Sequence, residues 1–169
     1  MNLVLFFHSL WSNGWLNGVM VWFAGYGLFL SAAAVVASVT RRHAYTFLPW
    51  AAVGGAIAIA LDLVGGHLIV HSRPFVVLGV QPLLPHPPDN SFPSDHSAVA
   101  AYLAATLWFV DFPMALISTM AAIAIGIARV YCLLHWPSDI GGGWLIGALP
   151  AILVGLWFRK GRASPVAEA

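Results

Sequence analysis

The chain has 169 residues, of which 60% are hydrophobic and only 8% are charged, and its mean hydropathy is +0.86. A water-soluble globule needs more polar surface than this, so the composition indicates a protein embedded in a lipid bilayer. The net charge of +1 leaves no basic patch and so gives no ground for a nucleic-acid partner. The single cysteine, Cys132, excludes an internal disulfide.

The N-terminal stretch, residues 1–18, is apolar but too short to cross a bilayer, and glycine and asparagine residues interrupt it. We expect an interfacial helix and a turn here, with Trp11 and Trp15 at the level of the lipid headgroups.

Five longer apolar runs follow, with lengths close to the roughly 20 residues that cross a hydrocarbon core. They comprise residues 19–39, 47–70, 94–110, 112–134 and 137–158, of which the third run is the shortest. The sequence therefore predicts a single all-α domain over residues 1–169, an integral membrane bundle of about five transmembrane helices plus the N-terminal interfacial helix.

The basic residues predict the orientation of this bundle. Arg41 and Arg42 lie between the first two spans, and three further basic residues follow the fifth, so both groups fall on one side of the membrane. Because Lys and Arg concentrate on the cytoplasmic side, that side is the cytoplasm and the tail of residues 160–169 is cytoplasmic. The proline-rich segment of residues 72–93 is then an outer loop, for which we expect no regular secondary structure.

Four small residues recur at a spacing of four in the fifth run and therefore share one helix face. They are Gly143, Gly147, Ala151 and Gly155. Such a face lets another helix approach closely, which predicts either packing inside the bundle or a homodimer.

Polar and ionisable residues collect at the outward ends of the predicted spans. Such groups are costly at membrane depth, so their clustering indicates a functional site. Three segments contain them: His71-Ser72-Arg73-Pro74, Pro93-Ser94-Asp95-His96, and Arg129 with His135 and Asp139.

These residue types suit phosphoryl transfer. Two arginines can neutralise the oxygens of a phosphoryl group, one histidine can attack the phosphorus, and a second can protonate the leaving oxygen. His135 and Asp139 are four residues apart at the start of a predicted helix, so the carboxylate can hold one imidazole nitrogen and leave the other free. Ser94 and the free amides of a helix start add donors for an anion. The histidines leave a zinc hydrolase as an alternative, although arginines stand where a metal site needs ligands.

The three segments resemble, in order and spacing, the signature motifs of the type 2 phosphatidic acid phosphatase (PAP2) superfamily. The resemblance covers residues 66–139. It implies His135 as the nucleophile, Asp139 as its orienting partner and His96 as the acid that protonates the leaving group. It further implies that the phosphoryl oxygens are bound by Arg73, Ser94 and Arg129. No metal ion and no cofactor are implied.

The chain departs from the family pattern in the first motif. The family's lysine, seven residues before the arginine, corresponds to Gly66 here. His67 and His71 are candidates to supply the missing charge and contact phosphate, or else have structural roles. The run Asp89-Asn90-Ser91-Phe92 resembles the bacterial undecaprenyl diphosphate phosphatase branch of the superfamily.

The resemblance implies a phosphatase that converts undecaprenyl diphosphate into undecaprenyl phosphate and inorganic phosphate at the outer face of a bacterial inner membrane. The alternatives are a phosphatase of glycerophospholipids, such as phosphatidic acid or phosphatidylglycerophosphate, and a non-catalytic carrier or flippase of lipid phosphates. The expected partners are the lipid substrate and membrane lipids. Outside the motifs, we expect Asp62 to be neutral or hydrogen-bonded within the bundle and His8, His43 and His86 to be surface residues.

Overall fold

The described part of the chain, residues 2–163 of a computed structural model, is helical apart from its connections and one isolated bridge between Ser72 and Asn90. The helices are α1 (Asn2–Ser9), α2 (Gly14–Arg42), α3 (Leu48–Leu68), α4 (Pro74–Leu78), α5 (Asp95–Leu107), α6 (Phe112–Tyr131) and α7 (Pro137–Ala163), with a short 3-10 turn (Tyr45–Phe47) before α3. The predicted all-α class is confirmed. Residues 160–163 of the predicted tail belong to α7, and residues 164–169 lie outside the described part.

Four of the helices in this part of the chain are long and apolar enough to cross a membrane, namely α2, α3 with the turn before it, α6 and α7. The predicted third span corresponds to α5, which has 13 residues and is therefore about 20 Å long. This helix packs against α2, α3, α6 and α7. Its small alanine side chains are buried on several sides, because protein rather than lipid surrounds it. The protein is a multi-pass membrane protein.

The two ends of α5 lie at opposite ends of the bundle. After α5, Asp111 forms ion pairs with Arg41 and Arg42 at the end of α2; the Arg42 Nη2 to Asp111 Oδ1 distance is 3.4 Å. Arg159 of α7 donates from Nη2 to the Trp108 carbonyl at 3.2 Å. Arg41, Arg42 and Arg159, which the sequence grouped on one side, therefore lie at one end of the bundle, and α5 begins at the other.

The N-terminal segment differs from the prediction because α2 begins early. Asn13 is the N-cap of α2, and its side-chain oxygen accepts a hydrogen bond from the Leu16 amide at 3.1 Å. This cap starts the helix at Gly14, although residues 14–18 were expected to form a turn. The short α1 packs against α6, and beside it Trp11 Nε1 donates to the Tyr131 carbonyl at 3.1 Å.

The proline-rich loop contains a helix, which corrects the expectation of no regular structure. Pro74 opens α4, where the missing amide hydrogen costs nothing, and Gly79 closes it in the left-handed conformation at φ 64°. The Phe75 amide donates to the Leu133 carbonyl at 3.1 Å, so α4 is attached to the turn between α6 and α7.

The small-residue face of α7 packs against α5 of the same chain. A Cβ atom on Gly143 would lie 2.6 Å from the Ser94 carbonyl oxygen, and one on Gly147 would lie 1.9 Å from that of Ala98. This face is therefore occupied inside the bundle and is closed to a second copy of the chain. The predicted homodimer has no support from it.

We expect Gly147→Ala to destabilise the protein by at least about 1–3 kcal/mol, because the added methyl group must push α7 away from the backbone of α5. Gly141→Ala is the matched control, since a Cβ atom there meets nothing within 4 Å. It should be neutral or stabilising because alanine favours the helix. Thermal unfolding of both variants in detergent measures the difference, and equal midpoints would contradict the packing.

Candidate active site

Three connections form a polar cluster at the end of the bundle where α5 begins. Leu133, in the left-handed conformation at φ 61°, reverses the chain between α6 and α7 and so places His135 beside the start of α5. Arg73 stands immediately before α4, which is attached to this turn. Arg129 lies in the last turn of α6. The fold thus brings the three predicted motifs together.

His135 is held with one ring nitrogen toward the backbone and the other toward the two arginines. The ring is buried, and Nδ1–H donates a hydrogen bond to the Ser91 carbonyl oxygen at 2.8 Å. Nε2 lies 3.2 Å from Arg73 Nη1 and 3.1 Å from Arg129 Nη2. Since Arg nitrogens only donate, Nε2 is the unprotonated acceptor. Burial, followed by the positive charges of Arg129 and Arg73, lowers the pKa of His135 to about 2, so this lone pair is available at neutral pH.

Asp139 was expected to orient His135, but its closest oxygen is 3.9 Å from His135 Nδ1. The buried carboxylate instead binds His71 Nδ1 at 2.8 Å and accepts from the Ser91 hydroxyl at 2.5 Å. It also accepts from the Trp136 amide at 2.8 Å, as an acidic residue in the first helical turn commonly does. Ser91 therefore connects the two residues, with its carbonyl on His135 and its hydroxyl on Asp139.

The Arg73 guanidinium is buried, and all three of its nitrogens donate hydrogen bonds. Nε donates to Asp89 Oδ1 at 2.7 Å, Nη1 to the Leu134 carbonyl at 2.9 Å, and Nη2 to the Asn90 carbonyl at 3.0 Å. These contacts fix both its position and the path of the loop.

Arg129 is equally buried but has donor capacity left. Nη1 donates to the Ala24 carbonyl at 3.3 Å, and Nε has no hydrogen-bond partner among the described residues. A free donor on a buried guanidinium suits an incoming anion.

The start of α5 completes the cluster. Ser94 is the N-cap residue and its amide donates to the Asp139 carbonyl at 3.2 Å. Its hydroxyl is buried and, within residues 2–163, lacks a hydrogen-bond partner, as does the hydroxyl of Ser97. His96, in the same first turn, is partly buried and lies within the electrostatic field of Arg129. The helix start therefore offers uncommitted donors next to the arginines.

His67 and His71 differ in position. His71 is committed to Asp139 and stacks on Trp136, with ring centroids 5.7 Å apart. His67 is exposed, and its Nδ1 donates to the Leu63 carbonyl at 2.7 Å within α3. It lines the same cleft of about 270 Å³ as Arg73. Neither makes a hydrogen bond to an arginine of the cluster.

Gly66, the position of the expected lysine, lines this cleft as well. Its carbonyl accepts from Asn90 Nδ2 at 2.8 Å. Asp62 and Asp95 add carboxyl groups to the cleft wall, so this side of the site is acidic rather than basic. In the described residues no three His, Cys, Asp or Glu side chains lie together in a way that could hold a metal ion.

Two residues of the cluster escaped the sequence reasoning. His86, expected at the surface, has a side chain only 21% exposed, and its Nε2 lies 3.5 Å from Arg129 Nη2. Ser91 was noted only as part of a family-like run. No motif signals either position, because both depend on the path of an irregular loop.

Fold and site together define the class of this protein: it is a helical membrane bundle with a buried histidine between two arginines. A family model of the PAP2 superfamily matches residues 47–163. The chain belongs to the PAP2 superfamily, and this confirms the predicted family.

Several relatives are similar over most of this chain. The undecaprenyl-diphosphatase of Sulfolobus acidocaldarius is 31% identical over 140 residues, which cover 79% of this chain and 66% of that protein. The bacitracin transport permease protein BcrC of Bacillus licheniformis is 31% identical over 142 residues, covering 82% and 70%. The crystal structure of a transmembrane PAP2-type phosphatidylglycerolphosphate phosphatase from Bacillus subtilis superposes with a TM-score of 0.67 at 28% identity, covering 88% of this chain and 79% of that one.

Proposed function

We propose that the protein is a metal-independent lipid phosphatase that converts undecaprenyl diphosphate into undecaprenyl phosphate and inorganic phosphate. The observation that carries this proposal is the unprotonated Nε2 of His135, held 3.1–3.2 Å from two arginine nitrogens in a buried site. A neutral imidazole nitrogen is a nucleophile, and the arginines are donors for the oxygens of the group that it attacks. The relative named undecaprenyl-diphosphatase favours this substrate.

The chemistry proceeds in two steps. Arg73 and Arg129 exchange their contacts with His135 for contacts with the terminal phosphoryl oxygens, and Nε2 attacks the phosphorus while the bond to the bridging oxygen breaks. His96, protonated when the diphosphate binds, donates that proton to the bridging oxygen, so that undecaprenyl phosphate leaves. The hydrogen bond from His135 Nδ1–H to the Ser91 carbonyl stabilises the positive charge of the imidazole. A water molecule then attacks the phosphohistidine, His96 accepts its proton, and the P–N bond breaks to release inorganic phosphate.

A groove between α3 and α5 supports a position for the lipid tail. An apolar groove of about 230 Å³ runs along Ala58, Ile59 and Val99. Asp62 and Asp95 line both this groove and the polar cleft that contains Arg73. A substrate with its isoprenoid chain in the groove would bring its diphosphate past these two carboxyl groups toward Arg73.

The location that fits the proposal is a bacterial inner membrane with the site on the outer side. Arg41, Arg42 and Arg159 meet at the opposite end of the bundle, and basic residues favour the cytoplasmic side. An outward site would recycle carrier lipid released during envelope glycan synthesis.

Phosphate release from a panel of lipids tests the substrate. We expect the purified protein, in detergent with a chelator present, to hydrolyse undecaprenyl diphosphate faster than phosphatidic acid or phosphatidylglycerophosphate. Equal or faster release from a glycerolipid would replace the isoprenoid assignment with the second candidate, which the solved relative favours. Lipid binding without any release would indicate a carrier, and activity that needs added zinc would refute the metal-independent mechanism.

A further inference from the structure

The imidazole of His86 lies within the arginine cluster although its segment is an irregular loop. Its Nε2 is 3.5 Å from Arg129 Nη2, the nitrogen that also lies 3.1 Å from His135 Nε2. The two imidazole rings meet edge to face, with centroids 6.5 Å apart and planes at 79°. One arginine nitrogen thus stands between two imidazole nitrogens.

The other nitrogen of His86 fixes which tautomer is present. Nδ1 lies 3.1 Å from the Pro87 carbonyl oxygen and 3.8 Å from Asp89 Oδ1, and both are acceptors. Asp89 is itself held by Arg73 Nε at 2.7 Å. The proton of the neutral ring therefore lies on Nδ1, and Nε2 presents a lone pair to the site.

A phosphoryl group bound to His135 must compete for the hydrogen bond that His86 now accepts. Arg129 Nη2 then turns to a phosphoryl oxygen, and His86 Nε2 is left facing that oxygen. Two lone pairs repel each other, whereas a protonated Nε2 forms a charge-assisted hydrogen bond with the same oxygen.

We propose that His86 is a further substrate-contacting residue, which takes up a proton when the phosphoryl group binds and donates from Nε2 to the oxygen that Arg129 holds. This inference rests on the proposed function only because that function identifies the bound anion as the phosphoryl group of a lipid. A protonated His86 would also be a third cation in the site, beside Arg73 and Arg129, where the lysine expected at position 66 is replaced by glycine.

The groups that face His86 decide when it is protonated. In the free protein, burial lowers the pKa of His86 and Arg73 and Arg129 lower it further, against the Pro87 hydrogen bond and the Asp89 charge. His96 and His135 are the neighbouring imidazoles from α5 and from the turn before α7. A bound dianion offsets the arginine charges and raises the pKa of His86 in the complex. Anion affinity should then fall as the pH rises through that higher pKa.

Sulfate binding to the full chain in detergent tests this directly, because sulfate is a tetrahedral dianion whose charge is constant where histidine titrates. By titration calorimetry, His86→Ala should weaken sulfate binding about tenfold near pH 6 and much less near pH 8.5. His86→Gln keeps a neutral donor near the Nε2 position, so we expect intermediate affinity with less pH dependence.

His43→Asn is the matched control. His43 is exposed and ends α2 in the left-handed conformation, at φ 50°, which asparagine also adopts. Sulfate affinity and its pH dependence should match the unchanged protein.

The outcomes separate this inference from the proposed function. Unchanged sulfate affinity and pH dependence in folded His86→Ala and His86→Gln would overturn the role of His86, even if lipid hydrolysis is confirmed. Absence of sulfate binding by the unchanged protein would overturn it too. Sulfate binding that depends on His86, without phosphate release from any lipid, would refute the proposed function and support the contact.

Discussion

His135→Gln should lower phosphate release from undecaprenyl diphosphate by at least about 10⁴-fold, because the variant lacks the nucleophilic nitrogen that lies against both Arg73 and Arg129. Glutamine keeps an amide that can bind the arginines, so lipid affinity should change by no more than a few-fold. Initial rates and lipid binding are measured on the same preparation. A covalently phosphorylated enzyme, trapped by rapid quenching, should be present in the unchanged protein and absent from the variant.

His8→Gln serves as the matched control for this substitution, since His8 contacts Trp11 in the N-terminal segment and lies outside the cluster. It should keep full activity. A His135→Gln protein that retains more than about a tenth of the activity would show that another group attacks the phosphorus.

Arg129→Lys should lower kcat by about 10²–10³-fold while leaving the net charge unchanged. The guanidinium directs Nη2 to His135 and anchors Nη1 on the Ala24 carbonyl, so its donor geometry is fixed. A lysine ammonium is a point charge on a flexible stem and cannot hold two directions at once. Steady-state kinetics with undecaprenyl diphosphate separate the effect on kcat from that on KM.

Arg159→Lys is the control for the charge-conserving change, because Arg159 donates to the Trp108 carbonyl at the opposite end of the bundle. Its kcat should stay within about twofold of the unchanged protein, as for a surface substitution. If Arg129→Lys raised only KM, Arg129 would bind the ground state and the transition state equally, and its proposed role in the transition state would be wrong.

The lengths of the apolar runs and the positions of the basic residues were sufficient to predict the bundle, because a lipid environment imposes simple rules. Apolar length and the grouping of Arg41 and Arg42 with the C-terminal basic residues predicted the passes and their common end. The length of α5 was overestimated, since an alanine-rich helix surrounded by other helices does not need to match the bilayer by itself. Similarly, an N-cap at Asn13 outweighed the glycines that were taken as breakers.

For the site, motif spacing correctly predicted the proximity of those residues that lie at helix ends. His135, Arg129 and Arg73 are positioned by helix ends, and the structure places them in contact. His86 and Ser91 were missed because a proline-rich connection has no period that would predict which way its side chains point. The expected direct contact between Asp139 and His135 was the natural inference from a spacing of four, but the intervening Ser91 comes from a distant part of the chain.

The acceptor that orients His135 is a main-chain oxygen, and this shapes how the site responds to mutation. No side-chain substitution at position 91 can delete the carbonyl that accepts the hydrogen bond from His135 Nδ1–H; it can only displace that carbonyl. Loss of the Ser91 hydroxyl removes the hydrogen bond that ties residue 91 to Asp139, so the carbonyl of residue 91 can shift. The substitution then changes the angle at which His135 attacks and leaves the nucleophile the same. The orientation of the His135 ring thus depends on a main-chain group that no substitution can remove. Asp139 and the loop hold this group in position.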